Sequence, residues 1–320
     1  MSENILSVKN LNVKYISREI GVCHAVNDVS FDVAKGETLG LVGETGAGKT
    51  TIALSIMRLL QIPPARIVSG EMFLDGEDIL KVSESKMRSI RGGRISMIFQ
   101  DPMTALNPID KIGDQISEMV RLHFKMNRAQ SAGKAAEMLE MVGIPSSRFK
   151  DYPHQFSGGM KQRVIIAIAL ACRPELLLAD EPTTALDVTI QAQVLNMMKE
   201  LKNELATSML LITHDLGVVA ETCDRVAVVY AGEIVEIGAA DVVFEKRSHP
   251  YTMGLFNSLP DITGERKRLI PIEGLMPDPT ALPVGCKFSP RCPICDESCT
   301  IGPIGLRQES GTHFVRCHKS

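Results

Sequence analysis

The sequence has no Trp and few other aromatics, 4 Tyr and 10 Phe in 320 residues. A platform that stacks single-stranded nucleic acid needs such side chains, so their scarcity argues against that class. Charge of one sign is lacking too. The 35 Lys and Arg against 38 Asp and Glu leave a formal net charge of −3, without the basic field of a nucleic-acid binder. No apolar run approaches the roughly 18–20 residues needed to span a bilayer. The longest, Val164 to Cys172, stops at Arg173-Pro174. The opening MSENILSVKN lacks the charged-then-apolar layout of a signal peptide. These absences predict a cytoplasmic chain that reaches a membrane only through a partner. What is present, 44% hydrophobic and 23% charged residues, suits one large globular domain or two smaller ones.

The pattern along the chain alternates strands with helices. Residues 5–9 and 29–33 alternate apolar and polar, as half-buried strands do. Thr38–Val42, Ile95–Phe99, Leu176–Ala179, Met209–Thr213 and Val226–Tyr230 are short apolar runs that read as buried strands. Helical patterns follow the first of these to Leu60, where Pro63-Pro64 stops them, and recur at 111–143, Met160–Cys172, 189–205 and 216–222. Ala231-Gly232 reads as a hairpin turn into Glu233–Ile237. This order predicts an α/β fold with a mainly parallel sheet covered on both faces. The helical block at 101–156 predicts an inserted helical subdomain. After about residue 256 Pro and Gly increase and periodicity fades, which predicts a small C-terminal extension, 256–320, beside a domain at 1–255. The Met residues at 119–141 read as core filler, and Arg266 to Arg268 as a solvated basic face.

The richest chemistry is local. Gly43, four intervening residues (Glu44, Thr45, Gly46, Ala47), then Gly48, Lys49 and Thr50 match the phosphate-binding loop between a strand and a helix. Its glycines let backbone N–H groups turn toward phosphate oxygens, and the helix start favours anions. Lys49 is placed to reach the β- and γ-phosphates, Thr50 to hold Mg2+, and Thr51 to meet the α-phosphate side. The strand ending at Asp180 delivers a carboxylate to the metal, and Glu181, one residue on, is placed to polarise an attacking water. His214, directly after a strand, can contact the γ-phosphate.

Between these elements lies Phe156-Ser157-Gly158-Gly159-Met160-Lys161-Gln162-Arg163. This segment resembles the signature motif of ATP-binding cassette (ABC) ATPases, with Met160 where many members carry Gln. Gln100 resembles the family's Q-loop, Ala185-Leu186-Asp187 its D-loop, His214 its switch histidine, and Tyr15 the aromatic that stacks on adenine. The resemblance covers roughly residues 5–240. It implies that Ser157, Gly158 and Gly159 meet the γ-phosphate held by a second subunit, and that Gln100 joins the Mg2+ site to the helical subdomain. It further makes Asp101 to Pro108 a transmitter of motion. Ser248-His249-Pro250-Tyr251-Thr252, Leu259-Pro260 and Gly285 to Cys292 resemble the C-terminal extension of oligopeptide and dipeptide importer ATPases, shared by nickel importers. The resemblance implies ATP hydrolysis on the cytoplasmic face of a membrane. The implied partners are two transmembrane permeases, an extracytoplasmic solute-binding protein and a second, usually non-identical ATPase. A nickel-complex importer and a soluble, non-transport ABC ATPase are the rival readings. The second is disfavoured by a single cassette without heptads.

Five of the eight cysteines fall in the last 35 residues. In a reducing compartment that clustering suggests a metal site rather than disulfides. Cys286, Cys292, Cys299 and Cys317 fit the four-cysteine pattern that some members of this group use for a [4Fe–4S] cluster. Four thiolates equally suit tetrahedral zinc. Cys295, His313 and His318 are competing ligands for a zinc ion.

Overall fold

The computed structural model describes residues 3–19, 21–100, 105–184, 186–258 and 271–320. In chain order the strands are β1 (Asn4–Ser17), β2 (Gly21–Ala34), β3 (Thr38–Val42), β4 (Ala65–Leu74), β5 (Glu77–Asp78) and β6 (Ile95–Ile98), then β7 (Leu176–Asp180), β8 (Ser208–Thr213), β9 (Arg225–Tyr230), β10 (Glu233–Ala239), β11 (Arg307–Ser310) and β12 (His313–Val315). The helices are α1 (Lys49–Ile56), α2 (Glu84–Ile90), α3 (Ile112–Phe124), α4 (Arg128–Met141), α5 (Gly158–Leu170), α6 (Val188–Glu204), α7 (Leu216–Thr222), α8 (Ala240–Glu245) and α9 (Pro250–Asn257). Packing divides the chain into two interleaved compact units. The first comprises Met1–Leu6, Val33–Thr38 and Phe73–Ile212; the second comprises Ser7–Asp32, Leu39–Met72 and Thr213–Ser320.

In the first unit β6, β7 and β8 run parallel, with Ile95 opposite Leu176 and Asp180 opposite Ile212. Every residue of these three strands is buried, as parallel strands covered on both faces require. Helix α5 supplies part of that cover. Its Val164, Ile166 and Leu170 are buried, and each such side chain stabilises by about 1.5–3 kcal/mol relative to exposure. The helical block separates into α3 and α4 because Lys125 turns left-handed (φ 50°) and Asn127 with Gln130 forms a capping box. On α3, Ile112, Ile116 and Val120 recur at helical spacing and are buried. Met138 is buried in α4, in keeping with methionine as core filler.

In the second unit β3 and β9 are parallel, Val42 lying opposite Val228. Beyond β9 the sheet continues antiparallel in the order β10, β12, β11. A separate sheet orders β2, β1, β4. Three features differ from the sequence reading. Strands β1 and β2 each run for 14 residues, because buried positions recur well beyond 5–9 and 29–33. Helix α1 ends at Ile56 rather than Leu60, since Arg58 takes a left-handed φ of 50°. The C-terminal extension is stitched into the sheet through β12, and Phe288 packs edge-on against Tyr230 with centroids 5.2 Å apart. Strand β12 is too short, at three residues, for its periodicity to register. No helix among the described residues is long and apolar enough to cross a membrane.

Candidate functional site

The phosphate loop belongs to the second unit and leaves β3 at Gly43. A side chain at Gly43 is excluded: its φ is 154°, and a Cβ would lie 2.1 Å from the Val229 carbonyl oxygen. Gly48, with φ 101°, is the N-cap of α1, and its Cβ would meet the Ala25 carbonyl oxygen at 2.4 Å. Sequence therefore dictates a loop pressed against the backbones of β9 and β2. The loop is braced further where the Gly232 N–H donates to the Ala47 carbonyl at 2.9 Å. Lys49 is nearly fully buried, and its Nζ donates to the carbonyls of Gly43 (2.6 Å) and Glu44 (2.9 Å). Thr45, Gly46 and Thr50 are exposed around it. The Tyr15 hydroxyl lies 3.3 Å from Thr51 Oγ1, which puts the aromatic at the first turn of α1. His214 is exposed directly after β8, before Asp215 caps α7 by accepting from the Gly217 and Val218 N–H groups.

In the first unit β7 carries Asp180 to its end, where the residue is 2% exposed. Glu181 then turns left-handed (φ 47°), and its N–H donates to the Ile212 carbonyl at 2.9 Å. Its Oε2 accepts from Gln100 Nε2 and from Thr184 Oγ1, each at 3.0 Å. Glu181, read from the strand end, and Gln100, supplied by the family resemblance, are thus brought into direct contact. Ser157 is the N-cap of α5 and accepts from the Met160 N–H at 3.4 Å, leaving Gly158 and Gly159 on the first turn. Such a helix start is an anion-binding arrangement. Arg148 braces it: its guanidinium sits 4.1 Å over the Phe156 ring and donates to Met160 Sδ at 3.5 Å. Gln162, which sequence reasoning quoted without a role, is fully buried and donates to the Pro182 carbonyl. It ties the signature helix to the backbone just past Glu181. The signal was there, an amide on the apolar face of a helix. Leu186 and Asp187 are described, and Asp187 caps α6. Ala185, Asp101 to Thr104, Leu259-Pro260 and Arg266 to Arg268 lie outside the described residues.

The extension places four of its five cysteines along one cavity. Cys286, Cys292, Cys299 and Cys317 line one narrow cavity with His249, Phe288 and His318. Cys295 is exposed and does not line it. His313 is committed elsewhere, its Nε2 lying 2.8 Å from buried Glu236. None of the eight cysteines is in a disulfide, and burial pushes the Cys286 pKa up to about 11. His249 is 1% exposed, and burial holds its pKa down at about 3. Its Nδ1 accepts from the Tyr251 N–H at 3.1 Å, which leaves the proton of the neutral ring on Nε2. That Nε2 has no hydrogen-bond partner among the described residues. No group of three or more His, Cys, Asp or Glu among the described residues is arranged to hold a metal ion.

Residues 26–184 match the family described as ABC transporter, and residues 235–299 the family described as oligopeptide/dipeptide transporter, C-terminal region. The dipeptide transport ATP-binding protein DppD of Bacillus subtilis (strain 168) is 48% identical over 321 residues, covering 98% of this chain and 94% of its own. The oligopeptide transport ATP-binding protein OppD of Escherichia coli (strain K12) is 46% identical over 304 residues, 94% and 89% of the two chains. Among solved structures, the dimeric post-hydrolysis state of the ATP-binding cassette MJ0796 bound to ADP and Pi superposes with a TM-score of 0.65. It is 26% identical and covers 73% of this chain and 98% of its own.

Proposed function

This chain belongs to the ABC transporter family of ATP-hydrolysing cassettes, and we propose that it is the ATPase subunit of a di- or oligopeptide importer. The observation that carries the peptide reading is the match of residues 235–299 to the oligopeptide/dipeptide C-terminal region. It is joined by relatives named for dipeptide and oligopeptide transport along nearly the whole chain. In this reading residues 1–255 form the nucleotide-binding domain, 101–156 its helical subdomain and 256–320 the extension.

The roles are those the family resemblance implies, each consistent with the chemistry of its residue. Gly43 to Thr51 cradle the phosphates of ATP with backbone N–H groups, and Tyr15 stacks on the adenine. Lys49 exchanges its two carbonyls for phosphate oxygens, and the gain comes from replacing neutral acceptors with charged ones. Thr50, Gln100 and Asp180 are the residues that would hold Mg2+, and the ion would neutralise charge on the phosphates. Glu181 orients the water that attacks the γ-phosphorus and accepts its proton. His214 donates to the γ-phosphate. Ser157, Gly158 and Gly159 present a helix start to the ATP of a second ATPase subunit, as a dimeric cassette requires. Two permeases in the membrane and an extracytoplasmic binding protein complete the importer, with this chain peripheral on the cytoplasmic face.

The extension suits a thiolate-bound centre, a [4Fe–4S] cluster with zinc as the alternative. Four cysteines share one cavity, and the same cavity is lined by an imidazole whose Nε2–H has no acceptor among the described residues. Thiolates and sulfides are acceptors for such a donor. Once bound, either centre would tie segments 286–299 and 317 together, and an iron–sulfur cluster would in addition supply a one-electron redox couple.

The test is uptake into proteoliposomes holding this chain with its own permeases and binding protein. Accumulation of labelled dipeptide or oligopeptide with ATP supports the reading. Accumulation of nickel chelate and no peptide replaces it with the nickel importer. Co-purification with ribosomes or DNA instead of membranes would place the chain among the soluble cassettes.

A further inference from the structure

We propose that Arg291 and Tyr251, which lie outside every nucleotide motif, are positioning residues of the phosphate loop, so that the C-terminal part of the chain helps to set nucleotide affinity. The argument starts at Glu44, the first residue after the loop's opening glycine. Each of its polar groups is engaged. Its N–H donates to the Tyr251 hydroxyl at 2.9 Å. Its carbonyl accepts from Lys49 Nζ at 2.9 Å. Its carboxylate accepts from Arg291 Nη1 at 3.1 and 3.0 Å. Two of these three anchors come from residues more than 200 positions further along the chain.

Neither anchor can move freely. Tyr251 is fully buried, its ring 4.5 Å from Tyr230 and 5.4 Å from Phe288 between centroids. The Arg291 side chain is 6% exposed. Its Nε donates to the Glu273 carbonyl at 2.9 Å, Nη2 to the Ile272 carbonyl at 3.3 Å, and Nη1 also to the Tyr230 hydroxyl at 3.3 Å. Arg291 thus uses its rigid fork to bind the loop and the segment at 272–273 at once. That segment continues past the loop, where the Met276 methyl would lie 3.2 Å from a Cβ placed on Gly46. Lys49 is parked on the Glu44 carbonyl and must leave it to meet a phosphate. The free energy of that exchange depends on where, and how firmly, Glu44 is held. Releasing the side chain of Glu44 lets the loop sample other conformations, which must then be ordered again on binding.

The proposal rests on the reading that Gly43 to Thr51 hold the phosphates, and the experiment separates the two. A fluorescent ATP analogue is titrated with Mg2+ into the purified full chain, wild type, Arg291→Lys, Glu44→Gln and the double variant, with thermal melting alongside. Lys keeps the charge and loses the fork. Glu44→Gln leaves the contacts of Arg291 with the carbonyls of Glu273 and Ile272 in place, so it remains informative where the Arg291 variant fails to fold. Each single variant is expected to weaken binding about tenfold, the scale of one charge-assisted hydrogen bond on a partly exposed pair. The double variant is expected to lose no more than either single one. KM for ATP should rise more than kcat falls. Affinity within twofold of wild type in folded Arg291→Lys or Glu44→Gln, or losses that simply add, overturns the proposal. If instead Lys49→Ala binds the analogue like wild type, the assignment of the loop is what fails.

Discussion

The phosphate loop and the cysteine cavity both lie in the second compact unit, yet they are built in opposite ways. The loop is nine consecutive residues, and backbone geometry does the work: Gly43 and Gly48 fit where a Cβ would strike a carbonyl oxygen. The cavity takes its four thiols from Cys286, Cys292, Cys299 and Cys317, and only packing brings them together. The loop has its cation parked on its own carbonyls, whereas the cavity leaves a buried N–H without an acceptor among the described residues. A contiguous site is pre-formed and merely exchanges partners on binding. A dispersed one depends on the fold around it and on what it binds.

The sharpest way to break this comparison is at the loop. Lys49→Ala is expected to reduce ATP hydrolysis by roughly 100-fold or more, measured as phosphate release by the purified chain with its permeases. Glu181→Gln should lose a similar factor in turnover while keeping nucleotide affinity, because it alters the water and not the phosphates. A Lys49→Ala enzyme with more than about a tenth of wild-type turnover would mean that the backbone cradle suffices. At the cavity the expected effect is all-or-none in composition but smaller in catalysis. Cys299→Ser should abolish bound iron or zinc, while Cys295→Ser retains it, assayed by metal content and a visible spectrum of anaerobically purified protein. Equal metal in both variants would remove the distinction drawn from the cavity lining. The smallest effect concerns reactivity. Cys172 is buried with its pKa pushed up to about 11, so little thiolate exists near pH 8, whereas Cys295 is exposed. Iodoacetamide at pH 8 should label Cys295 first and spare Cys172 in the native chain, read by mass spectrometry of peptides. Rapid labelling of Cys172 would show that β7 and α5 open far more readily than their burial suggests.

Much of the architecture was legible because it is local. Buried parallel strands such as Leu176–Asp180 are short apolar runs, and the loop declares itself through glycine spacing. The partnership of Gln100 with Glu181 was legible in part, since both residues were picked but not their contact. What stayed hidden is long-range. Gln162 holding the Pro182 carbonyl looks like an ordinary helix residue until the fold exists. Arg291 reads as one basic residue before a cysteine, and its partner Glu44 lies 247 positions away. Strand β4 was missed because several of its ten residues, Arg66, Ser69 and Glu71 among them, are polar or exposed and hide the alternation. Strand β12 was missed because three residues carry no period.

The pairing of β12 with β10 also bears on how the chain survives its own synthesis. Strand β10 is almost wholly buried, and its open side is covered by β12, with the Arg316 N–H donating to the Val235 carbonyl at 2.8 Å. About 70 residues separate the two strands, so at roughly 5–20 residues per second the nascent chain carries an apolar, unpaired edge for about 4–14 s. Such an edge is a template for joining another chain. Once β12 arrives, β11 closes over it with Arg307, Gln308, Glu309 and Ser310, all exposed, so the finished sheet ends in a strand that discourages further pairing. The extension is therefore also a terminator for the sheet, and a truncated chain that stops before residue 307 is expected to aggregate whether or not it can bind nucleotide.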